Sequence, residues 1–320
     1  MTRSTIAATT PWPAVGETIL TLDSVSKSYG KVHAVKNVNL EIPRGSIYGF
    51  LGPNGAGKTT TIRIIMKIIL ADGGTIDLAG HALDTEMRDR IGYLPEERGL
   101  YRKMKCLDQL AYLAELKGVP RGLARQRADS WLKRMDLADW RDRKVDALSK
   151  GMQQKIQFAA TFISEPELVI LDEVFSGLDP LNIELLRDMI LEEKKKGTTI
   201  LFSTHMLAEA EKICDAICLI EGGEIILDGP LDKIRADFPL ESLRVAWEGS
   251  PEPPADLPGV LHREKSEGTW RLTLAEGVNP RDLLPDLMAF GPLTLFSANR
   301  PSLNEIFLEA VSRHRKAGRS

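Results

Sequence analysis

The run Gly52-Pro53-Asn54-Gly55-Ala56-Gly57-Lys58-Thr59-Thr60 holds the residue types that grip a polyphosphate. Glycines let the backbone fold so tightly that successive N–H groups converge on phosphate oxygens. Lys58 supplies positive charge for the β- and γ-phosphates, and the Thr59 hydroxyl can ligate Mg²⁺. This chemistry predicts a site for a nucleoside triphosphate. A second set lies at Leu168-Val169-Ile170-Leu171-Asp172-Glu173, a short apolar run closed by two acids. A carboxylate at Asp172 can hold Mg²⁺ through its water shell beside Thr59. Glu173, next along an extended run, faces the other way and can orient or deprotonate an attacking water.

The elements around these residues suit the task. Ser46–Leu51 is strand-like and Thr60–Leu70 helix-like, so the phosphate run opens a helix whose positive dipole end favours anions. From Thr18 the chain alternates as strands over Thr18–Gly30, Val38–Ile42 and Thr75–Gly80. Cys106 to about Asp142 turns Leu/Ala-rich and helical in period, broken at Gly118–Gly122. Leu107, Leu110, Ala111 and Ala114 give one apolar face, and Trp131, Leu132 and Met135 another. Strand and helix then alternate again. The apolar run Glu167–Leu171 suits a buried parallel strand. Ile183–Lys196 reads as a helix, Thr198–Ser203 as a strand and Ala208–Cys214 as a helix. Two strands flank Gly222-Gly223.

Residues 1–17 read as a flexible lead-in, 18–240 as the main domain with a helical subdomain at about 97–165, and 241–320 as a small α+β domain. That last part holds strands at Leu243–Trp247, Gly259–Arg263 and Thr269–Leu274. A helix carrying Leu283, Leu284 and Leu287 follows. Another at Ser302–His314 opens with a capping box, Ser302 with Glu305 three residues on.

Composition narrows the partners. Of the 320 residues 43% are hydrophobic, enough for a large core, and the net charge is −3 from 42 basic and 45 acidic side chains. No basic excess argues for nucleic acid. Cys106, Cys214 and Cys218 form no even disulfide framework, which fits a reduced, cytosolic compartment. No run of about 18 apolar residues occurs, so the chain itself is not expected to span a bilayer.

A further set decides between triphosphatases. Leu148-Ser149-Lys150-Gly151-Met152-Gln153-Gln154-Lys155 opens a helix shortly before the Asp172-Glu173 pair. Ser176-Gly177-Leu178-Asp179 follows the pair, and Ser203-Thr204-His205 ends the next strand. Together with the phosphate run, these residues resemble the ATP-binding cassette family over about residues 19–235. The likeness is strongest to the stand-alone ATPase subunits of ABC-2-type and sodium-extrusion exporters. The resemblance implies an α/β P-loop NTPase fold: a RecA-like core, an antiparallel β subdomain and an inserted helical subdomain. It further implies a role for Tyr29 in stacking on adenine and for His205 in contacting the γ-phosphate. Ser149, Gly151 and Gln154 of one subunit would close over ATP held by another, with Asp179 at the contact between them. One copy of each motif then implies two subunits, a homodimer, sandwiching two ATP with Mg²⁺. The pair would drive a separate integral membrane permease from the cytoplasmic face, with residues 97–120 as the docking stretch. The segment from 241 on resembles the accessory C-terminal domain of such exporters, particularly in Pro301–Val311.

Some positions depart from the family pattern. Where Gln usually follows a Tyr-x-Pro run, Glu96 stands here, able to ligate Mg²⁺ yet adding charge near Glu173. Lys150 replaces a common Gly and Val174 a common Pro. A different class, a soluble cassette ATPase acting on DNA or ribosomes, is disfavoured. Lys58 and Asp172 are too close in sequence for a long coiled coil between them, and the chain has a single cassette. A non-hydrolysing regulatory cassette is disfavoured because Lys58, Asp172, Glu173 and His205 are all present.

Overall fold

The computed structural model describes residues 18–317, apart from positions 89, 98, 239–241, 250, 255, 267, 276, 299 and 300. The lead-in expected over 1–17 lies outside the described residues. The chain divides into two compact units, Met1–Gly229 and Pro230–Ser320. The division falls earlier than the boundary near 240 expected from the sequence.

The first unit begins with long strands β1 (Thr18–Tyr29) and β2 (Val32–Pro43), then β3 (Ile47–Leu51) and α1 (Lys58–Ile65). Next come β4 (Gly73–Leu78), β5 (His81–Ala82), the short α2 (Thr85–Arg88) and β6 (Ile91–Leu94). Three helices follow: α3 (Cys106–Leu116), α4 (Arg121–Arg134) and α5 (Lys150–Phe162). The unit closes with β7 (Leu168–Asp172), α6 (Pro180–Lys195), β8 (Thr199–Thr204), α7 (Leu207–Ile213), β9 (Ala216–Glu221) and β10 (Glu224–Pro230).

These strands form two sheets. The antiparallel sheet runs β2-β1-β4-β5 and the larger one β10-β9-β3-β8-β7-β6. In the larger sheet β9, β3, β8, β7 and β6 are parallel. Every residue of β3, β7 and β8 is buried, as expected for apolar runs covered on both faces. Leu20, Val38, Phe50, Ile62, Ile170 and Cys218 share one core, which joins both sheets through α1. Register sets Leu51 beside Thr204 and Asp172 beside Ser203. The carboxyl ends of three neighbouring strands therefore emerge together, where open α/β sheets bind their ligands.

Several elements differ from the sequence reading, and for two of them the packing shows why. Strand β6 was not expected. It is short, and Gly92 within it lets α5 approach so closely that a Cβ there would sit 2.5 Å from the Thr161 carbonyl oxygen. Helix α1 stops at Ile65 rather than near Leu70. Lys67 turns left-handed (φ 49°) while Lys67 N–H bonds Ile64 O and Ile68 N–H bonds Arg63 O. These crossed bonds satisfy the last carbonyls as in a Schellman turn, ending a helix that the apolar pattern alone would extend.

In the helical layer, the expected face of α3 is buried at Leu107, Leu110, Ala111 and Ala114. Trp131 of α4 packs on Phe158 and Phe162 of α5, with ring centroids 6.3 and 6.1 Å away. Helix α5 is thereby fastened to the subdomain that carries it.

The second unit contains α8 (Leu231–Asp237), β11 (Ser242–Trp247), β12 (Val260–Ser266), β13 (Thr269–Leu274), α9 (Leu284–Phe290), β14 (Leu293–Ser297) and α10 (Leu303–Ala317). Its antiparallel sheet runs β12-β13-β11-β14 around a core of its own that includes Val245, Trp247, Leu272 and Leu287. The capping box forms at α10: Glu305 N–H bonds Ser302 Oγ at 3.3 Å, and Ser302 N–H bonds Glu305 Oε2 at 2.8 Å. Among the described residues no helix is long and apolar enough to cross a membrane.

Candidate active site

Residues 52–57 connect the buried end of β3 to the first turn of α1. Two of the glycines are dictated by space. A Cβ on Gly52 would lie 2.4 Å from Ile220 O, and one on Gly57, at φ 112°, 2.5 Å from Ala34 O. The loop is thus wedged against β9 and β2, and its shape is set before any ligand arrives. Lys58 is buried and its ammonium donates to Gly52 O at 2.7 Å and Pro53 O at 3.2 Å. Thr59 and Thr60 are partly exposed on the opening turn of α1.

Asp172 ends β7 and is 1% exposed, yet neither carboxylate oxygen has a hydrogen-bond partner. Burial pushes its pKa up, and the charges of Glu173 and Glu96 add to this. Nearby Ser203 and Lys58 oppose the rise, although the Ser203 hydroxyl falls short of a formed hydrogen bond. An unpaired buried carboxylate demands an explanation, and a hard cation is a chemically apt one. The donor set, oxygen ligands at Asp172 with the Thr59 hydroxyl, fits Mg²⁺.

Glu173 turns aside for a reason that differs from the expected strand alternation. The strand ends at Asp172, and Glu173 takes a left-handed conformation, φ 52°. Its N–H bonds Ser203 O at 3.0 Å. The carboxylate comes to rest with Oε1 3.7 Å from Lys58 Nζ and Oε2 2.9 Å from His205 Nδ1. Thr204 Oγ1 lies 3.4 Å from the same Oε2 and accepts from Met206 N–H at 2.9 Å. Left-handed backbone at a non-glycine residue is uncommon and gathers at functional sites. An acid, an ammonium and an imidazole therefore meet beside the phosphate loop, the imidazole half-exposed.

A family profile described as "ABC transporter" matches residues 35–176. Another, "ATP-binding protein DrrA1-3-like, C-terminal domain", matches residues 229–311. An uncharacterized ABC transporter ATP-binding protein, YhaQ of Bacillus subtilis (strain 168), is 39% identical over 92% of this chain and 98% of its own length. The chain belongs to the ABC transporter ATP-binding proteins. It is thus an ATP-binding and ATP-hydrolysing subunit of that family. A daunorubicin resistance ATP-binding protein, DrrA3 of Streptomyces coeruleorubidus, is 35% identical over 70% of this chain and 72% of its own. A solved structure of an ATP-binding subunit of an ABC transporter superposes with a TM-score of 0.65 at 34% identity, covering 69% of this chain and 93% of the other.

For this ABC ATPase, the remaining expected residues sit as follows. Tyr29 is 50% exposed, with Lys27 Nζ 5.7 Å from its ring centroid. Ser149 is the exposed N-cap of α5, its Oγ accepting from Met152 N–H, and Gly151 in the first turn is partly exposed. Asp179 is the N-cap of α6, and bonds from Asn182 hold its carboxyl below the usual range. Glu96 is exposed just past β6. Gln154 differs from its neighbours in the motif: it is buried, and its amide donates to Val174 O.

One residue escaped the sequence reading. Gln157, also buried, donates from Nε2 to Pro95 O at 3.4 Å and Glu97 O at 3.2 Å, on either side of Glu96. The available signal was a pair of glutamines, 154 and 157, three residues apart on one face of a helix.

Proposed function

We propose that this ABC ATPase acts as a homodimer around two ATP–Mg²⁺ and powers export through a separate membrane permease. The observation that carries the catalytic assignment is Glu173, held between Lys58 and His205 at the mouth of the phosphate loop. In this reading the N–H groups of residues 52–60 and the Lys58 ammonium bind and orient the phosphates. Thr59 and Asp172 would hold Mg²⁺, and Glu96 is a further acid whose charge reaches Asp172. The metal supplies neutralisation of charge on the phosphate oxygens. Glu173 takes a proton from water as the water oxygen bonds to the γ-phosphorus and the bond to the leaving ADP breaks. His205 keeps the Glu173 carboxylate aimed through its Nδ1 contact.

Exposure of Ser149 and Gly151 at the start of α5 suits closure over a partner's ATP, where the helix dipole favours anions. Tyr29 offers an exposed ring for adenine, and Asp179 an exposed acid for the contact between subunits. Export is supported by the relative whose name carries drug resistance. The permease, which would hold the cargo site, is proposed to dock on residues 97–120. There Tyr101 and Tyr112 stand edge to face at 5.7 Å, both partly exposed beside Arg102 and Lys103. The subunit would then lie at the cytoplasmic face of the membrane without entering it.

The test is Glu173→Gln. It is expected to bind ATP, to lose turnover by about 10²-fold or more, and to elute as an ATP-dependent dimer. Captured from gently solubilised membranes with ATP present, it should bring down a multi-span protein. A monomer in saturating ATP–Mg²⁺ would refute the shared site. Ribosomal or DNA-bound material in place of a membrane partner would move the protein to the soluble class.

A further inference from the structure

Two buried glutamines lie on one face of α5, three residues apart. Gln154, 8% exposed, bonds the carbonyl of Val174, the residue after Glu173. Gln157, 7% exposed, bonds the carbonyls of Pro95 and Glu97, which bracket Glu96. A carbonyl only accepts, so in each case the amide nitrogen must face the loop. A buried amide is costly unless bonded, and an apolar side chain would fill the same space without that liability.

We propose that Gln154 and Gln157 are positioning residues that tie α5 to both acidic loops of the active site. Glu173 sits in a left-handed conformation that costs an L-residue free energy, so its neighbours must favour it. Three bonds do so: Glu173 N–H to Ser203 O, Ser176 N–H to Glu173 O, and the Gln154 amide to Val174 O. Only the last originates in the helical subdomain. Gln157 likewise anchors the loop that carries Glu96. A helix moves as a rigid body, so a shift of its first turn displaces both loops at once. That first turn carries Ser149 and Gly151. Contact with ATP on one subunit would thereby be felt at the base serving the other ATP. This consequence rests on the dimer reading above, whereas the grip of α5 on the loops stands without it.

Methionine matches glutamine in length and fills the space without a donor. For Gln154→Met and Gln157→Met, kcat is expected to fall on the order of ten- to a hundredfold, the scale of a misplaced catalytic group. KM for ATP should change by less than about twofold, because neither residue binds nucleotide. The readouts independent of turnover are hydrogen exchange and NMR relaxation in protein without ATP. Exchange should quicken at the Ser176 amide in Gln154→Met, and NMR relaxation should show a more mobile Glu96–Glu97 backbone in Gln157→Met, with Tm held within a few degrees. A raised KM at preserved kcat would overturn the proposal for Gln154 in favour of direct nucleotide contact. Unchanged exchange at Ser176 together with unchanged relaxation at Glu96–Glu97 would overturn it altogether, leaving packing as the role of the pair. Glu173→Gln separates the two readings: wild-type turnover there would refute the base assignment, while the exchange data would still report on the grip.

Discussion

Lys58 and Glu173 are both buried and stand 3.7 Å apart, so each offsets part of the other's lost hydration, beside the Gly52 and Pro53 carbonyls on Lys58 and His205 on Glu173. Lys58→Ala would remove the phosphate charge and leave Glu173 without its ammonium. Turnover is expected to fall by about 10²-fold or more, with weaker ATP binding, measured by phosphate release and nucleotide titration. Glu96→Gln is a milder change, expected to keep hydrolysis within about tenfold. Its signature lies in the pH profile. Asp172 is raised first by burial and then by Glu173 and Glu96, so deleting the Glu96 charge lowers the Asp172 pKa. In protein free of nucleotide and metal, the carboxylate then stays ionised to lower pH, which NMR of the Asp172 carboxyl across a pH series checks. Glycines, lysine and the acid pair were legible in the sequence because each chemical role belongs to a residue type. The direction of Glu173 was legible for the wrong reason, since it comes from one left-handed residue and not from strand alternation.

At the scale of elements, the neighbours in the larger sheet explain a partly buried acid unrelated to catalysis. Tyr48 of β3 hydrogen-bonds Asp228 of β10, with β9 between them in strand order. Burial raises the Asp228 pKa above the usual carboxylate range, with the charge of Glu41 adding to it, while the Tyr48 bond works against the rise. A carboxyl whose pKa is higher folded than unfolded stabilises the fold fully below the unfolded value. That contribution is lost as pH rises through the folded pKa. Stability should therefore decline from about pH 4 upward through that raised value, and Asp228→Asn should flatten this part of the curve. Thermal melts of both proteins across the window check it. Helix α1 shows the limit of pattern at this scale. Its apolar period continues toward Leu70, yet the crossed bonds at Lys67 end it, leaving Ile68 and Leu70 exposed at 58% and 73%.

At the scale of the whole molecule, each unit has its own core, and damage to one should register there first. Trp247, 2% exposed, bonds Leu287 O through its indole N–H at 2.9 Å and meets Phe290 edge-on at 5.2 Å. Trp247→Ala is expected to cost about 3–5 kcal/mol in the second unit. Calorimetry should show a transition of that unit moved to lower temperature, with ATP turnover still measurable at temperatures below it. The sequence by itself determined the α/β class, the phosphate loop, the Asp172–Glu173 pair and the capping box at Ser302. Those features are written in contiguous residues whose chemistry does not depend on distant chain. The tertiary structure alone decided that Glu173 meets Lys58 and His205, because parallel strands far apart in sequence end side by side. It alone decided that Gln154 turns inward while Ser149 and Gly151 stay at the surface. Successive residues of a helix point around its axis, and only the packed neighbours say which side is in.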